Sequence, residues 1–327
     1  MTSLEQLQKL QAHVSELIIG QPHLVNRMLI ALLCDGHVLV EGAPGLAKTR
    51  AIKVLSQSIE ANFHRLQFTP DLLPADLTGT EIYRPQDGSF KFRPGPLFHN
   101  LVLADEINRA PAKVQSALLE AMEERQITVG KKTYPLPALF LVMATQNPIE
   151  QEGTYPLPEA QLDRFLLHVV VDYPDADAEQ QILQINRAEA KRSAASGQDG
   201  SSFAPATLVS EATVQAARRE ILDLHLAPEL ERYIVHLVVA TRDPGVLDAA
   251  LADTVQFGAS PRASIAIDRA ARANAWLNGR DYVSPDDIQS VVPDVLRHRV
   301  LLSFEAEADG MTTDQFIARI VAGVGVP

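Results

Sequence analysis

The stretch that decides the fold of this chain reads Gly42-Ala43-Pro44-Gly45-Leu46-Ala47-Lys48-Thr49. A mainly apolar run, residues 37–40, precedes it, and a helix-like segment, residues 50–60, follows it. A strand, a turn of small residues and Lys-Thr at the start of a helix form the layout of a phosphate-binding loop. The backbone N–H groups of such a loop face an anion, and the helix dipole adds partial positive charge. The pattern predicts that Lys48 binds phosphate oxygens and that the Thr49 hydroxyl is a ligand of Mg²⁺.

One position of the loop departs from the strict pattern G-x-x-x-x-G-K-[ST]. Ala47 stands where that pattern has its last glycine. The loop by itself is therefore an incomplete match, and its interpretation depends on the other motifs of the chain.

Length and composition limit the class of protein. The 327 residues suggest two domains, and the net charge of −12 argues against an overall basic surface for nucleic acid. The single cysteine, Cys34, cannot form a disulfide within the chain and fits a reducing compartment. No apolar window approaches the roughly 18–20 residues of a membrane span, and the N-terminus lacks the layout of a signal peptide. We therefore expect a cytoplasmic protein without a membrane span and without a nucleic-acid partner.

Strand-like and helix-like segments alternate through the first part of the chain. Compact β-like runs fall at residues 37–41, 63–68, 101–104, 139–144 and 166–171. Helical patterns separate several of them, which predicts an α/β fold with a parallel sheet covered by helices on both faces. Ligands of such sheets bind beyond the carboxyl ends of the strands, so Lys48, Asp105 and Asn147 are expected to share one site.

Two stretches interrupt this alternation, and each is predicted to contain a β-hairpin. They cover residues 75–98 and residues 125–138, with turns at 85–88 and at 130–131. Small and polar residues at 191–204 indicate a linker. The rest of the chain, residues 205–327, shows helical patterns and no convincing strand. The predicted organisation is a core of residues 1–190 followed by a small all-α domain.

A second apolar strand delivers two acids, Asp105 and Glu106, to its carboxyl end. In a nucleotide site the first acid supports Mg²⁺, and the second orients or deprotonates the attacking water. Apolar runs that end in Asp-Glu are common, so the pair alone is a weak signal. Its place downstream of a phosphate-binding loop makes the combination a strong one.

Three further polar residues are candidates for the same chemistry, and each has an ordinary alternative. Asn147 could bind the attacking water or the γ-phosphate, or Asn-Pro could simply form a turn. Arg164, near the end of a short helix, could reach the γ-phosphate of a neighbouring subunit or pair with Asp163. Arg262 begins a helix, where the dipole disfavours a cation unless an anion such as phosphate is bound. A solvated arginine is the alternative for Arg262.

Together these motifs resemble those of the MoxR family of AAA+ ATPases over nearly the whole chain. In that family the phosphate loop reads G-x-P-G-x-A-K-T, so Ala47 is the expected residue. The other matching segments are residues 103–110 (Walker B), 144–148 (sensor 1), 157–165 (arginine finger) and 258–262 (sensor 2). The two hairpins resemble the helix-2 insert and the pre-sensor-1 insert of this group.

The resemblance implies a P-loop AAA+ αβα sandwich, residues 1–190, and a helical lid domain, residues 205–327. It also implies Mg²⁺-dependent hydrolysis of ATP. The phosphates would lie on the loop and Arg50, with Ile19 and Gly20 near the adenine.

The resemblance further assigns the roles of the other site residues. Thr49 and Asp105 would hold Mg²⁺, Glu106 would activate the water and Asn147 would position it. Arg262 of the same subunit and Arg164 of a neighbouring subunit would contact the γ-phosphate.

Partners are implied by the resemblance alone. The family forms rings, usually hexamers, and remodels or matures protein complexes in a chaperone-like manner. Its members often act with a protein that carries a von Willebrand factor A domain. A protein client and such a partner are therefore expected here.

Two other classes of function stay open at the level of the sequence. One is a scaffold that binds ATP but does not turn it over. The other is a nucleic-acid motor, because related AAA+ proteins with the same inserts unwind DNA. The net charge of −12 argues against the motor.

Overall fold

The computed structural model describes residues 1–148, 153–196 and 207–327 of the chain. Its central strands are β1 (Val38–Gly42), β2 (Phe63–Gln67), β5 (Leu101–Asp105), β8 (Leu141–Gln146) and β9 (Leu167–Val171). They form one sheet in the order β2-β5-β8-β1-β9, and every neighbouring pair is parallel. The predicted parallel sheet is confirmed.

The inner strands β5, β8 and β1 are apolar runs that are buried on both faces, whereas the edge strand β2 is partly exposed. Alternate residues of β5 enter different apolar clusters: Leu101 and Leu103 join one, and Val102 and Ala104 join the other. The helices of the core are α1 (Ser3–Leu17), α2 (Pro22–Leu33), α3 (Lys48–Ser58), α4 (Pro74–Thr78), α5 (Ala112–Glu124), α6 (Glu159–Leu162) and α7 (Ala176–Ser196). Helices α2 and α3 supply one cluster and α5 supplies the other, which confirms the αβα sandwich.

Both predicted hairpins are present. The first consists of β3 (Gly79–Arg84) and β4 (Ser89–Pro94), and the second of β6 (Gln126–Val129) and β7 (Lys132–Pro135). The rings of Phe92 in β4 and Tyr134 in β7 stack with their centroids 4.1 Å apart. The two inserts therefore lie against each other.

The second domain is mainly helical, as predicted, but it also contains a short strand pair. Its helices are α8 (Glu211–Leu222), α9 (Pro228–Ala240), α10 (Pro261–Leu277), α11 (Pro285–Leu296), α12 (Phe304–Ala308) and α13 (Thr313–Gly323). Strands β10 (Val255–Phe257) and β11 (Leu301–Leu302) pair antiparallel. They are too short for an alternating apolar pattern, which is why the sequence indicated helices only.

The predicted linker, residues 191–204, needs one correction. Helix α7 continues to Ser196 because alanine, lysine and arginine are favourable in helices. The remaining linker residues, 197–204, lie outside the described residues. The domain limits at 190 and 205 stay a prediction.

Ion pairs join the second domain to the core. Arg27 Nε of α2 donates to Asp294 Oδ2 of α11 at 2.7 Å, and both side chains are buried. Arg299 Nε donates to Asp163 Oδ1 at 2.7 Å. In addition, α10 packs against α2. These contacts fix the start of α10, where Arg262 lies, relative to the sheet.

Across the described ranges, no helix has both the length and the apolar character that crossing a membrane requires.

Candidate active site

The register of the strands brings the predicted polar residues to one edge of the sheet. Glu41 of β1 is level with Gln146 of β8, and Gln67 of β2 is level with Asp105 of β5. Because these strands are parallel, their carboxyl ends meet at the same edge. A cleft of about 380 Å³ lies beyond them.

The phosphate loop connects β1 to α3 and has an unusual backbone. Gly45 has φ +87°, and Ala47 has φ 59° and ψ 11°, so both are left-handed. The Lys48 ammonium donates to the backbone carbonyls of Gly42 and Ala43, the latter at 3.1 Å. Burial lowers the pKa of Lys48, while the nearby carboxylates of Asp105 and Glu106 oppose that shift. The loop thus holds a half-buried lysine close to two acids.

The conformation of Ala47 leads to a prediction about stability. We expect Ala47→Gly to raise the free energy of unfolding by about 1 kcal/mol, because glycine adopts the left-handed conformation without alanine's steric cost. Urea denaturation measures the difference. Ala318→Gly, at an exposed position inside α13, is the matched control and should lower the same free energy by about 1 kcal/mol. A destabilised Ala47→Gly variant would contradict the left-handed backbone.

Asp105 is buried and held from two sides. Its Oδ1 accepts a hydrogen bond from the Thr145 hydroxyl at 2.6 Å, and its Oδ2 accepts one from Arg65 Nη2 at 2.7 Å. Thr49 and Asp105 both line the cleft. Hydroxyl and carboxylate oxygens are the ligands that Mg²⁺ prefers, so Thr49 and Asp105 fit the ion.

Glu106 follows Asp105 and also has a left-handed backbone, with φ 57° and ψ 52°. Its backbone N–H donates to the Thr145 hydroxyl oxygen at 2.9 Å. Its carboxylate Oε2 accepts from Gln67 Nε2 at 2.6 Å and pairs with Arg109 Nε at 3.0 Å. A non-glycine residue in this conformation costs about 1–3 kcal/mol and is found preferentially at functional sites. The left-handed backbone of Glu106 ends the regular course of β5, whose last residue is Asp105.

The lining of the cleft contains most of the predicted nucleotide residues. Asn147 is buried there, directly after β8. The described lining residues are Pro44, Gly45, Leu46, Ala47, Lys48, Thr49, Arg50, Arg65, Asp105, Glu106, Thr145, Gln146 and Asn147. Gly42 and Ala43 reach this site through the carbonyls that bind Lys48.

Sequence reasoning missed three residues of this site: Arg65, Gln67 and Thr145. The signal for Arg65 and Gln67 was available, because alternate residues near the carboxyl end of a strand share one face. Thr145 was part of the sensor 1 segment but received no role. Its hydroxyl in fact links the backbone of Glu106 to the carboxylate of Asp105.

The two predicted adenine residues lie outside the described lining of the cleft. Gly20, with φ +77°, passes so close to the chain after β9 that a Cβ would lie 2.8 Å from Pro174 Cβ. Gln21 Nε2 donates to the carbonyl of Asp172 at 2.9 Å. The segment with Ile19 and Gly20 is thus fixed to the end of β9, and its contact with a nucleotide stays a prediction.

Arg164 and Arg262 meet each other at a second cavity, which we call the arginine cavity. It measures about 340 Å³, and five arginines line it: Arg125, Arg164, Arg262, Arg269 and Arg299. Arg164 Nη2 lies 3.0 Å from Glu123 Oε2, and Arg262 Nη2 lies 2.6 Å from Glu123 Oε1. Neither arginine belongs to the described lining of the cleft that holds Lys48. Glu123 holds Arg262 beside Arg164 and outside the described lining of the cleft, and the action of Arg262 on a γ-phosphate stays a prediction.

The arginine cavity also contains Cys34, the only cysteine of the chain. Burial raises the pKa of this thiol to about 12, so it stays protonated. Its Sγ donates to the backbone carbonyl of Arg269 at 3.2 Å. Burial and this hydrogen bond favour a structural role for Cys34.

The fold and the cleft together define a P-loop ATPase of the AAA class, and comparison with known proteins agrees. Residues 37–167 match the "ATPase family associated with various cellular activities (AAA)", and residues 247–320 match the "AAA lid domain". Chaperone MoxR1 of Mycobacterium tuberculosis is 46% identical over 320 residues, which are 96% of this chain and 80% of that protein. YeaC of Bacillus subtilis is 43% identical, over 98% of this chain and 95% of YeaC.

A solved structure is similar over nearly the whole length. The crystal structure of a Cytophaga hutchinsonii protein superposes on this chain with a TM-score of 0.89 and 45% sequence identity. The match covers 99% of this chain and 96% of the Cytophaga chain. The chain belongs to the MoxR family of AAA+ ATPases.

Proposed function

We propose that this chain hydrolyses ATP with Mg²⁺ at sites formed between neighbouring subunits of a ring, which the family resemblance implies is a hexamer. We further propose that hydrolysis drives the remodelling or maturation of protein complexes. The observation that carries the proposal is the separation of two sets of residues. Lys48, Thr49, Asp105 and Glu106 line the cleft, whereas Arg164 and Arg262 line a different cavity.

A second copy of the chain would complete such a site. Arg164 and Arg262 are held by core and lid contacts at a distance from their own cleft, so we propose that both act on the nucleotide of a neighbouring subunit. Guanidinium groups stabilise the charge that develops on the γ-phosphoryl oxygens in the transition state. Each site would then depend on assembly, which ties hydrolysis to contact between subunits.

The residues of the cleft have separate roles in this proposal. The backbone of the phosphate loop and Lys48 bind the β- and γ-phosphates. Glu106 accepts a proton from the attacking water as the oxygen of that water bonds to the γ-phosphorus and the bond to the ADP oxygen breaks. Asn147 orients the same water. Thr145 holds the backbone of Glu106 in the required direction.

Thr49 and Asp105 would hold Mg²⁺, which neutralises negative charge on the β- and γ-phosphate oxygens. The Arg65 guanidinium donates to Oδ2 of Asp105 and also lines the cleft. We infer that this guanidinium exchanges the carboxylate for a phosphate oxygen when nucleotide binds.

The inserted hairpins are proposed to contact the protein client. Ile82, Tyr83 and Phe90 are exposed on the first hairpin. Exposed apolar groups of this kind suit contact with another protein. A protein with a von Willebrand factor A domain is the proposed partner, on the basis of the family resemblance. Capture of partners by the Glu106→Gln variant in the presence of ATP tests this part.

The phosphate-loop assignment is tested by Lys48→Ala. We expect ATP affinity, measured by calorimetry, to fall about 10- to 100-fold, because hydrogen bonds to charged groups contribute about 1.5–3 kcal/mol. Lys53→Ala removes an exposed lysine from the same helix and is the matched control. Unchanged ATP binding by Lys48→Ala would refute the assignment.

Phosphate release by the wild-type protein separates this proposal from its rivals. A non-hydrolysing scaffold would bind ATP and release no phosphate. Stimulation of ATPase activity by DNA would instead favour a nucleic-acid motor.

A further inference from the structure

Glu123 has an unexplained position between the two arginines. It lies in the last turn of α5, and each oxygen of its carboxylate binds a different guanidinium. Arg164 comes from the segment before β9, and Arg262 comes from the first turn of α10 in the lid. One carboxylate therefore brings together cations from the core and from the lid.

The two arginines depend on Glu123 to different degrees. Among the described residues, Glu123 supplies the one ion pair of Arg164, and the Nε of that arginine is buried without a hydrogen-bond partner. Arg262 also approaches Asp163, but at 3.9 Å, compared with 2.6 Å to Glu123. Glu123 thus sets the direction of both guanidinium groups, and it controls Arg164 most strongly.

The charge of the cluster leaves it able to bind an anion. Two arginines and one glutamate carry a net charge of +1, and Glu123 uses only a terminal nitrogen of each guanidinium. Donors of both arginines stay available at a cavity of about 340 Å³. A carboxylate that holds two guanidinium groups in this way keeps them close together despite their mutual repulsion.

We propose that Glu123 is a positioning residue, which holds Arg164 and Arg262 as a pair directed at the γ-phosphate of the neighbouring subunit. The inference rests on the proposed function, because it requires that the arginines act across a subunit boundary. A merely structural ion pair between partly exposed groups contributes little to stability and would not alter turnover. Glu123 acts on the rate because misplaced catalytic groups lose much of their effect.

The first test is the isosteric variant Glu123→Gln, with Glu124→Gln as the matched control. Glu124 is the next residue of α5 and is exposed, and no ion pair of it is found within the described part of the chain. We expect kcat to fall about 10- to 100-fold in Glu123→Gln, with the affinity for ATP unchanged. Glu123→Asp keeps the charge and should recover part of the loss. A wild-type kcat in Glu123→Gln would overturn the proposal.

The second test asks whether Glu123 acts through the arginines. In a background that carries both Arg164→Ala and Arg262→Ala, Glu123→Gln should lower kcat by less than twofold further, because neither of the arginines that Glu123 positions is present. Full additivity of the two losses would overturn the proposal.

The third test measures binding of the complex of ADP with aluminium fluoride, an analogue of the transition state. We expect Glu123→Gln to weaken this complex about tenfold or more and to leave binding of ATP unchanged. An equal effect on both ligands would contradict a role in positioning the arginines and would indicate a general loss of the site.

Mixing of variants separates failure of this inference from failure of the proposed function. Glu106→Gln subunits lack the base but keep their arginines, so they should restore turnover to both Arg164→Ala and Glu123→Gln subunits in mixed assemblies. Recovery with Arg164→Ala but not with Glu123→Gln would show that Glu123 acts on the nucleotide site of its own subunit. That result would overturn the inference. No recovery with Arg164→Ala would refute the proposed action of the arginine across the boundary.

Discussion

Arg164→Ala is expected to lower the ATPase turnover number by about 10³-fold or more, which is the scale of an arginine that stabilises a phosphoryl-transfer transition state. The affinity of ATP should change by less than about twofold. Arg164 meets Glu123 at the arginine cavity, outside the described lining of the phosphate cleft. Its removal therefore leaves the groups that bind nucleotide in the same subunit intact. Steady-state phosphate release and ATP titration measure the two quantities.

Two control variants define what this loss means. Arg319→Ala removes an exposed arginine of α13 and should keep wild-type turnover. Arg164→Lys keeps the charge but loses the planar fork of donors, so it should recover little. Thermal unfolding of Arg164→Ala checks that the subunit still folds. Wild-type turnover of Arg164→Ala in assembled protein would refute the role of this residue.

The inner strands of the sheet were predictable because they are apolar runs buried on both faces. A strand such as β5 is apolar along its length and ends in charged residues, so one short window of sequence reveals both its extent and its direction. The parallel arrangement then brings Lys48, Asp105 and Asn147 together without further information. The hairpins were predictable for a different reason, since Gly88 and Gly130 mark their turns and both have positive φ.

The second half of the site was not predictable in this way. Arg262 has a local sequence signal, but its position depends on how the lid docks on the core. That docking depends on pairs far apart in the sequence, such as Arg27 with Asp294 and Arg299 with Asp163. Glu123 gave no signal at all, because one acid on an amphipathic helix has the pattern of an ordinary solvated residue.

The phosphate loop shows the same limit on a smaller scale. The sequence reveals that Ala47 replaces a glycine, and the structure reveals the physical consequence, a left-handed alanine at the start of α3. This chain accepts the steric cost of a left-handed alanine at a position where the strict pattern has glycine, which avoids that cost. A search for the strict pattern alone would have missed this loop, although its Lys48 and Thr49 both line the cleft.

Glu106→Gln is expected to lower kcat by about 10²- to 10⁴-fold, which is the usual contribution of a general base. The glutamine keeps the size of the side chain and can still interact with Gln67, but it cannot accept a proton from water. Lys48 and the backbone of the phosphate loop are unchanged, so ATP affinity should stay within about twofold. Single-turnover hydrolysis and calorimetry measure the two effects.

The strained backbone of Glu106 makes the choice of control important. Glu120→Gln changes an exposed acid of α5 and should keep wild-type turnover. Thr145→Val is informative in another way, because it removes the hydroxyl that accepts from the Glu106 N–H and donates to Asp105. If the direction of the Glu106 side chain matters, Thr145→Val should lower kcat substantially, although the Glu106 carboxylate is still present. Normal turnover in Glu106→Gln would remove Glu106 as the base and leave Asp105, held by Thr145 and Arg65, as the remaining carboxylate described in the lining of the cleft.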